Sequence, residues 1–464
     1  MRCVEITAEV ERKLEAPEGF ELPDLGGSPL EPRVFTSVYY DTADGSLARA
    51  GITLRRRTER GRSVWQLKLP AADARLELEQ PGGPAEPPPE LGRLLTAHLR
   101  RGPVAPVAEL RTRRHGSLVA RDGTTAEVTI DEVAVMDALR VTGEFVEIEI
   151  ELRSGDPKQL DEIVDEVTTA GAHLTNGAPK LFRVLGLRRD RERRPRDPFD
   201  ALRTLLRRQL QEILVHDPGT RLGRDPESLH DMRVAARRSR ALLRAGRTLI
   251  ATDTEALMLE LRWLGEVLGS VRDLDVLLER LHAEAAVLDP ADRTAANRLL
   301  RALGRERARA RRALLNELDG PRYLTLLDSF EATLAGLEPG TGGATLDALA
   351  RRQLKKLDRA ARALGADPAD TELHEVRKLG KRTRYAFELA GNGRAVRRAQ
   401  KLQDVLGAHQ DAVVAEQRLR TLAADAPGAQ ALAAGLLIVG ERQRREQARG
   451  TWRKAWRRLD RAAT

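Results

Sequence analysis

Charged residues in this sequence recur at alternate positions. In Glu9-Val10-Glu11-Arg12-Lys13, side chains of an extended chain point to opposite faces in turn, so Glu9, Glu11 and Lys13 share one face. Alone, such a triplet reads as a solvated strand face. Here other runs repeat it: Arg55 with Arg57, Gln66 with Lys68, Glu77 with Glu79, Arg111 with Arg113, Glu127 with Asp131, and Glu147 with Glu149 and Glu151. The intervening positions hold Leu54, Trp65, Leu67, Leu76, Leu78, Val128, Ile130, Ile148 and Ile150. If that apolar set packs under helices, the charged set faces inward, the reverse of a small barrel filled with aliphatic side chains.

Unpaired ions in a dry interior cost several kcal/mol each, so the pattern calls for a charged ligand. Arg55, Arg57, Lys68, Arg111, Arg113, Lys180 and Arg183 suit a polyanion, because guanidinium forks match phosphate oxygens two at a time. The carboxylates Glu9, Glu11, Asp131, Glu147, Glu149 and Glu151 cannot touch phosphate, but a hard divalent cation bridges oxygens on both sides. A phosphate chain with Mg2+ or Mn2+ satisfies both sets. Phosphoryl transfer needs positioning and charge neutralisation more than covalent chemistry. His98, His115 and His173 stand isolated and form no nucleophile or base constellation.

A second cationic pattern has helical spacing. His230, Arg233, Arg237, Arg240 and Arg244 fall on one helix face beside Arg238, and His374, Arg377, Lys381 and Arg384 repeat it with Lys378 and Arg382 nearby. Uncompensated cations along a helix repel, and a duplicated stripe is better explained by an extended polyanion than by a solvated face. Scarce aromatics and the lack of a groove-reading motif disfavour nucleic acid as a partner. Inorganic polyphosphate, without bases, needs neither. The histidines read as phosphate ligands, since neighbouring cations would repel a metal ion.

The elements that must position these groups fall into two textures. Up to about residue 187, period-two runs separated by Gly, Pro and Asp predict strands from Val10, Ile52, Val64, Arg75, Glu109, Ala126 and Phe145, with helices at 90–101 and 157–171. An Arg/Pro-rich segment at 188–197 reads as a linker. Beyond it, residues 198–464 are helical. ESLHDMRVAARRSRALLRAG from Glu227 matches TELHEVRKLGKRTRYAFELAG from Thr371, and EVLGSVRDLDVLLERL from Glu266 matches DVLGAHQDAVVAEQRL from Asp404. This internal repeat predicts two pseudo-symmetric four-helix bundles, at about 198–335 and 344–461.

The overall balance of 79 basic to 70 acidic residues hides −6 over residues 1–190 and +15 over the rest. With 41% hydrophobic residues the 464-residue chain can bury more than one core. The single Cys3 allows no internal disulfide, and neither a membrane span nor an export signal is expected.

The Glu-x-Glu-x-Lys run, YYDTADGSLARAGITLRRR from Tyr39, WQLKLP from Trp65, the EIEIEL strand and APKLFR from Ala178 resemble the CYTH family, the triphosphate tunnel metalloenzymes. The repeat motifs resemble the CHAD family, helical domains that bind polyphosphate. The resemblance implies an α+β multidomain protein: an eight-stranded antiparallel tunnel barrel with flanking helices over 1–187, then an all-α domain. It also implies a triphosphatase in which Glu9, Glu11 and Glu149 with neighbouring strand carboxylates hold the metal. Arg55, Arg57, Lys68, Arg113, Lys180 and Arg183 would hold triphosphate, and Lys13 would touch substrate or poise water. His409 joins the polyphosphate ligands, although Val271 occupies its place in the first repeat. Inorganic triphosphate is favoured over thiamine triphosphate or a nucleotide. A sensor without catalysis, and a nucleic-acid-binding helical domain, are the alternatives. The expected location is cytoplasmic, with polyphosphate granules as a site of association.

Overall fold

A computed structural model describes residues 5–70, 75–83, 85–100, 102–175, 177, 179–186, 195–341 and 345–463. Cys3 and most of the expected linker, 188–194, lie outside the described residues. The chain divides into two compact units, residues 1–192 and 193–464.

The first unit is one antiparallel sheet. Its strands are β1 (Glu5–Glu9), β2 (Glu11–Glu15), β3 (Ser28–Pro29), β4 (Arg33–Asp41), β5 (Thr53–Glu59), β6 (Arg62–Pro70), β7 (Arg75–Pro81), β8 (Ala105–Arg121), β9 (Thr124–Asp137), β10 (Arg140–Ser154) and β11 (His173–Leu174). They pair in the order β1-β7-β6-β5-β4-β8-β9-β10-β2-β11, with β3 on β8. The expectation of eight strands in a closed barrel needs correction, since eleven strands are present among the described residues and the ladder does not close. Residues 5–15 break at Val10: Glu9 ends the pairing with β7, opposite Arg75, and Glu11 begins the pairing with β10, opposite Glu151. The carbonyl of Val10 between them accepts from Leu152 N–H at 2.9 Å. The end strand β1 is thus joined through the chain at Val10 to β2, the strand next to the other end.

Short helices connect the strands: α1 (Ser46–Arg49), α2 (Pro89–Leu94), α3 (Thr96–Leu99), α4 (Pro157–Thr169) and α5 (Lys180–Val184). Helix α4 starts at Pro157, with the Asp156 carboxylate accepting from Lys158 N–H at 2.9 Å. It buries Leu160, Ile163, Val164 and Val167, one face at i, i+3, i+4 and i+7, against Leu14, Val128, Ile130, Ile148 and Ile150. Full burial of each aliphatic side chain contributes about 1.5–3 kcal/mol. This packing turns Lys13, Glu147, Glu149 and Glu151 to the other side of the sheet. Helix α5 packs Leu181 and Phe182 against Tyr39, Leu110 and Val133.

The second unit contains α6 (Pro198–Leu222), α7 (Pro226–Ala245), α8 (Glu255–Ala286), α9 (Pro290–Asp319), α10 (Pro321–Ala335), α11 (Leu346–Ala363), α12 (Asp370–Leu389), α13 (Gly393–Ala423) and α14 (Gly428–Ala463). The repeat maps α7 onto α12 and α8 onto α13. The expected pair of four-helix bundles needs correction in its count: among the described residues five helices precede residue 342 and four follow residue 344. One core joins both halves, through Leu281 of α8, Leu299 and Leu303 of α9, Leu419 of α13 and Leu437 of α14. Helices of 30 to 36 residues span roughly 45–54 Å, so their far ends reach past their own repeat. The DPG at 217–219, a break by its sequence, is continuous helix in α6, where buried Asp217 accepts from Arg221 at 2.7 Å.

Gly116 lies in β8 opposite Thr129, and a Cβ there would overlap the Val128 carbonyl. Gly116→Ala is expected to destabilise the first unit by about 1–3 kcal/mol in a urea titration; an unchanged midpoint would contradict this packing.

Candidate functional site: an ion-lined cavity and a cationic cleft

The inward faces of the sheet enclose a cavity of about 240 Å3. Nine cationic and six carboxylate side chains line it. Of the residues singled out by spacing, Glu9, Glu11, Lys13, Arg55, Arg57, Lys68, Glu149, Glu151 and Lys180 meet here.

The cavity is held by crossed ion pairs. Lys13 Nζ donates to Glu147 at 3.1 Å and to Glu149, and lies 3.4 Å from Glu11. Lys180 Nζ reaches Glu149 at 2.6 Å and both Asp131 and Glu147 at 2.9 Å. Arg114 grips Asp131 with two donors, at 2.7 and 2.6 Å, and also donates to Glu149. Lys68 donates to both oxygens of Glu9, at 2.7 and 2.5 Å. Arg55 donates to Gln66 at 2.7 Å and to the Tyr39 hydroxyl at 3.2 Å. Arg57 lies over the Phe35 ring, 3.8 Å from its centre, and donates to Glu59 at 2.8 Å.

These contacts divide the carboxylates. Burial alone would raise Glu149, yet Lys13, Lys180 and Arg114 hold it well below the usual range. Lys13 is driven the opposite way: burial would lower it, but Glu149, Glu147 and Glu11 raise it well above an ordinary lysine. It stays an ammonium, so it can position an oxygen but not act as a base. Glu9 is raised by burial and by Glu11 and Glu77, against Lys68. Glu151 is pushed up to about 7, by burial and then by Glu9. Buried Glu77 Oε1 has no hydrogen-bond partner. Among the described residues no three carboxylate, histidine or cysteine groups converge as a ready metal cage. The donor set nonetheless fits a hard divalent cation: Glu9, Glu11, Glu77 and Glu151 are oxygen ligands on one cavity wall, and burial with neighbouring carboxylates raises Glu9 and Glu151.

Other expected placements change. Asp131, fully buried, and Glu147 lie behind the cavity wall and are occupied by Arg114, Lys180 and Lys13, so they brace cations instead of offering free ligands. Arg111 and Arg113 are exposed on the outer face. No helix of the α4 core covers this part of β8, so its charged face turns to solvent while Thr112 and Arg114 point inward. Arg183 also lies outside, 3.0 Å from Glu15 and 4.7 Å above the Phe145 ring. The cavity adds Arg33, Tyr39, Arg75, Arg114 and Arg153. Period two carried the signal for several of them: Arg75 shares a face with Glu77 and Glu79, Arg153 with Glu149 and Glu151, and Arg33 with Tyr39.

In the helical unit, a cleft of about 390 Å3 opens between α7 and α12, where the two stripes meet. Arg237, Arg240, Arg244, Lys378, Lys381 and Arg382 line it with Gln353 and Tyr385, and no carboxylate does. Arg233 lies beside it and donates to Asp273 of α8 at 2.8 Å. A Cβ on Gly269 would sit 3.2 Å from that guanidinium, and one on Gly407 would lie 4.0 Å from Arg377. The matched glycines therefore leave room for the matched arginines. His230 and His374 are half-buried. Burial and then Arg272 lower His230, while His374 Nδ1 is 2.7 Å from the Gln410 amide oxygen. Arg238 is tied to Glu388, and Arg384 to Gln400. The expectation for His409 is corrected: it is 1% exposed, with Nε2 3.0 Å from Asp370, at the core position that Val271 fills in the other repeat.

The division of carboxylates predicts opposite stabilities. Asp131→Asn is expected to cost about 3–5 kcal/mol by stranding buried cations, while Glu9→Gln, which relieves a crowded carboxylate, leaves the melting temperature unchanged or higher. Equal losses in calorimetry would contradict the division.

A CYTH domain model matches residues 7–180 and a CHAD domain model residues 204–420. The uncharacterized protein Rv2226 of Mycobacterium tuberculosis is 33% identical over 98% of this chain and 96% of its own length. PptA from Streptomyces chartreusis is 27% identical, covering 56% of this chain and 99% of that one, with a TM-score of 0.49. The CHAD domain from the plant Ricinus communis is also 27% identical, covering 56% and 92%, with a TM-score of 0.46. With both domain models matched in this order and a relative aligned along nearly its whole length, the chain belongs to the proteins that join a CYTH domain to a CHAD domain.

Proposed function

We propose that the first unit is a divalent-metal-dependent hydrolase of inorganic triphosphate or a closely related triphosphate, and that the helical unit binds inorganic polyphosphate. The observation that carries the first part is the lining of the cavity, in which nine cations face six carboxylates. A phosphate chain takes the cations and a divalent ion takes the carboxylates.

Arg33, Arg55, Arg57 and Arg114 form an arginine-rich pole of the lining, with Arg33 and Arg57 sharing Glu59 and Arg114 held by Asp131 and Glu149. Burial, and then Arg55 and Arg33, lower the Arg57 guanidinium to about 10 despite its bond to Glu59, so cations are crowded there. That pole suits the non-bridging oxygens of a phosphate chain. Glu9, Glu11, Glu77 and Glu151 would hold Mg2+ or Mn2+, which would supply charge neutralisation at the reacting phosphoryl group. Lys13 and Lys180, fixed as cations, hold Glu149 and present N–H donors to phosphate oxygens. Glu151, near neutrality, is placed to orient a water or accept its proton.

At about 240 Å3 the cavity is smaller than the ~300–1,000 Å3 usual for drug-sized ligands, and Tyr39 is the one aromatic side chain among its described lining residues. Both features favour a bare phosphate chain over a nucleotide. In the helical unit, a cleft with six cations and no carboxylate supports polyphosphate.

Phosphate release from tripolyphosphate should require Mg2+ or Mn2+ and stop with chelator. Arg114→Ala should lower kcat/KM by at least ~100-fold, about 2.7 kcal/mol, and Arg113→Ala by less than about threefold. Equal effects of the two substitutions would contradict the cavity as the site. For the helical unit, long-chain polyphosphate should bind the full chain and resist competition by RNA at moderate salt. Displacement by equimolar RNA phosphate would favour the nucleic-acid reading.

A further inference from the structure

Helices α7 and α12 bring equivalent residues of the two repeats together: Arg233 and Arg237 from one, Arg377 and Lys381 from the other. Three of these four are arginines, which remain charged at every accessible pH. The fourth, Lys381, lines the cleft between the helices and is half-buried. The charges facing it are almost all positive. Arg377, Lys378 and Arg382 come from its own helix, and Arg233, Arg237, Arg240 and Arg244 from α7. Asp411 of α13 is the carboxylate that acts on it, while Asp273 of α8 is engaged by Arg233.

We propose that this cleft is a proton-coupled site for phosphate chains, in which Lys381 takes up a proton as the anion enters. The inference rests on the polyphosphate reading of the helical unit and adds a residue and a pH response to it. The physical basis is competition for one place. In the free protein, burial and then Arg377, Arg237 and Arg233 lower the Lys381 ammonium to about 7, so above neutrality the empty cleft holds a neutral amine. A phosphate chain reverses the local field and restores the ammonium. By linkage, the anion then binds more tightly as the pH falls toward 7, with an upper slope of about tenfold per pH unit above it. An arginine at this position would bind charge without sensing pH.

Isothermal titration calorimetry of the full chain with inorganic polyphosphate at pH 8, in buffers of different ionisation enthalpy, tests this. The wild type should take up a substantial fraction of one proton per site and should lose affinity, by up to about tenfold, between pH 7.5 and 8.5. Lys381→Arg should abolish the proton uptake and flatten the pH slope, whatever its affinity at pH 7. Wild-type binding without proton uptake, or equal uptake by Lys381→Arg, would overturn the proposal and leave the parent reading standing. No binding at any pH would remove both.

Discussion

The organising constraint of the first unit is that ionised side chains are packed inside a sheet and must neutralise one another. Glu149 is the centre of that arrangement. It accepts from Lys13 on the next strand, from Arg114 two strands away and from Lys180 at the start of α5. Asp131 and Glu147 complete the lattice from behind. With these charges turned inward, the opposite face of β2, β9 and β10 must be apolar, and α4 covers it. Helix α5 gains its place twice over, through Leu181 and Phe182 in a small apolar core and through Lys180 on the cavity wall.

Much of this was legible in the sequence, because period-two charge with aliphatic residues between is visible without coordinates. The inward-facing positions of Glu9, Glu11, Lys13, Arg55, Arg57 and Lys68 were found that way. The failure at Arg111 and Arg113 has a local cause. Alternation defines two faces but not which one is inside, and that depends on whether a helix covers the outside. Over β9 and β10 it does. Along this part of β8 it does not, so the ordinary rule of charge outward returns and Arg114 is the inward residue. Nor could spacing separate carboxylates that brace cations, such as Asp131, from those left under-compensated, such as Glu151; that difference depends on partners across strands.

The duplication in the helical unit was also plain in the sequence, and its consequence was only partly so. Matching His-x-x-Arg to Leu-Gly motifs revealed two copies. It did not reveal that Gly269 and Gly407 make room for Arg233 and Arg377, because that contact joins two helices. Pairing of the two halves was expected from the repeat, but not that Leu281, Leu299, Leu419 and Leu437 would join them, since these look equally suited to the core of either half. His409 was misjudged as a ligand. Its counterpart Val271, read as a departure from the motif, marked the position as core.

The central claim is that the cavity's cations and carboxylates hold one another only until a phosphate chain and a divalent cation take each set. Thermal stability measured with tripolyphosphate alone, with Mn2+ alone and with both, using an Arg114→Ala variant beside the wild type, tests it most directly. The account predicts that the two ligands together raise the wild-type melting temperature by clearly more than their separate shifts combined, with the excess reduced in the variant. Purely additive shifts, or no shift from either ligand, would contradict it.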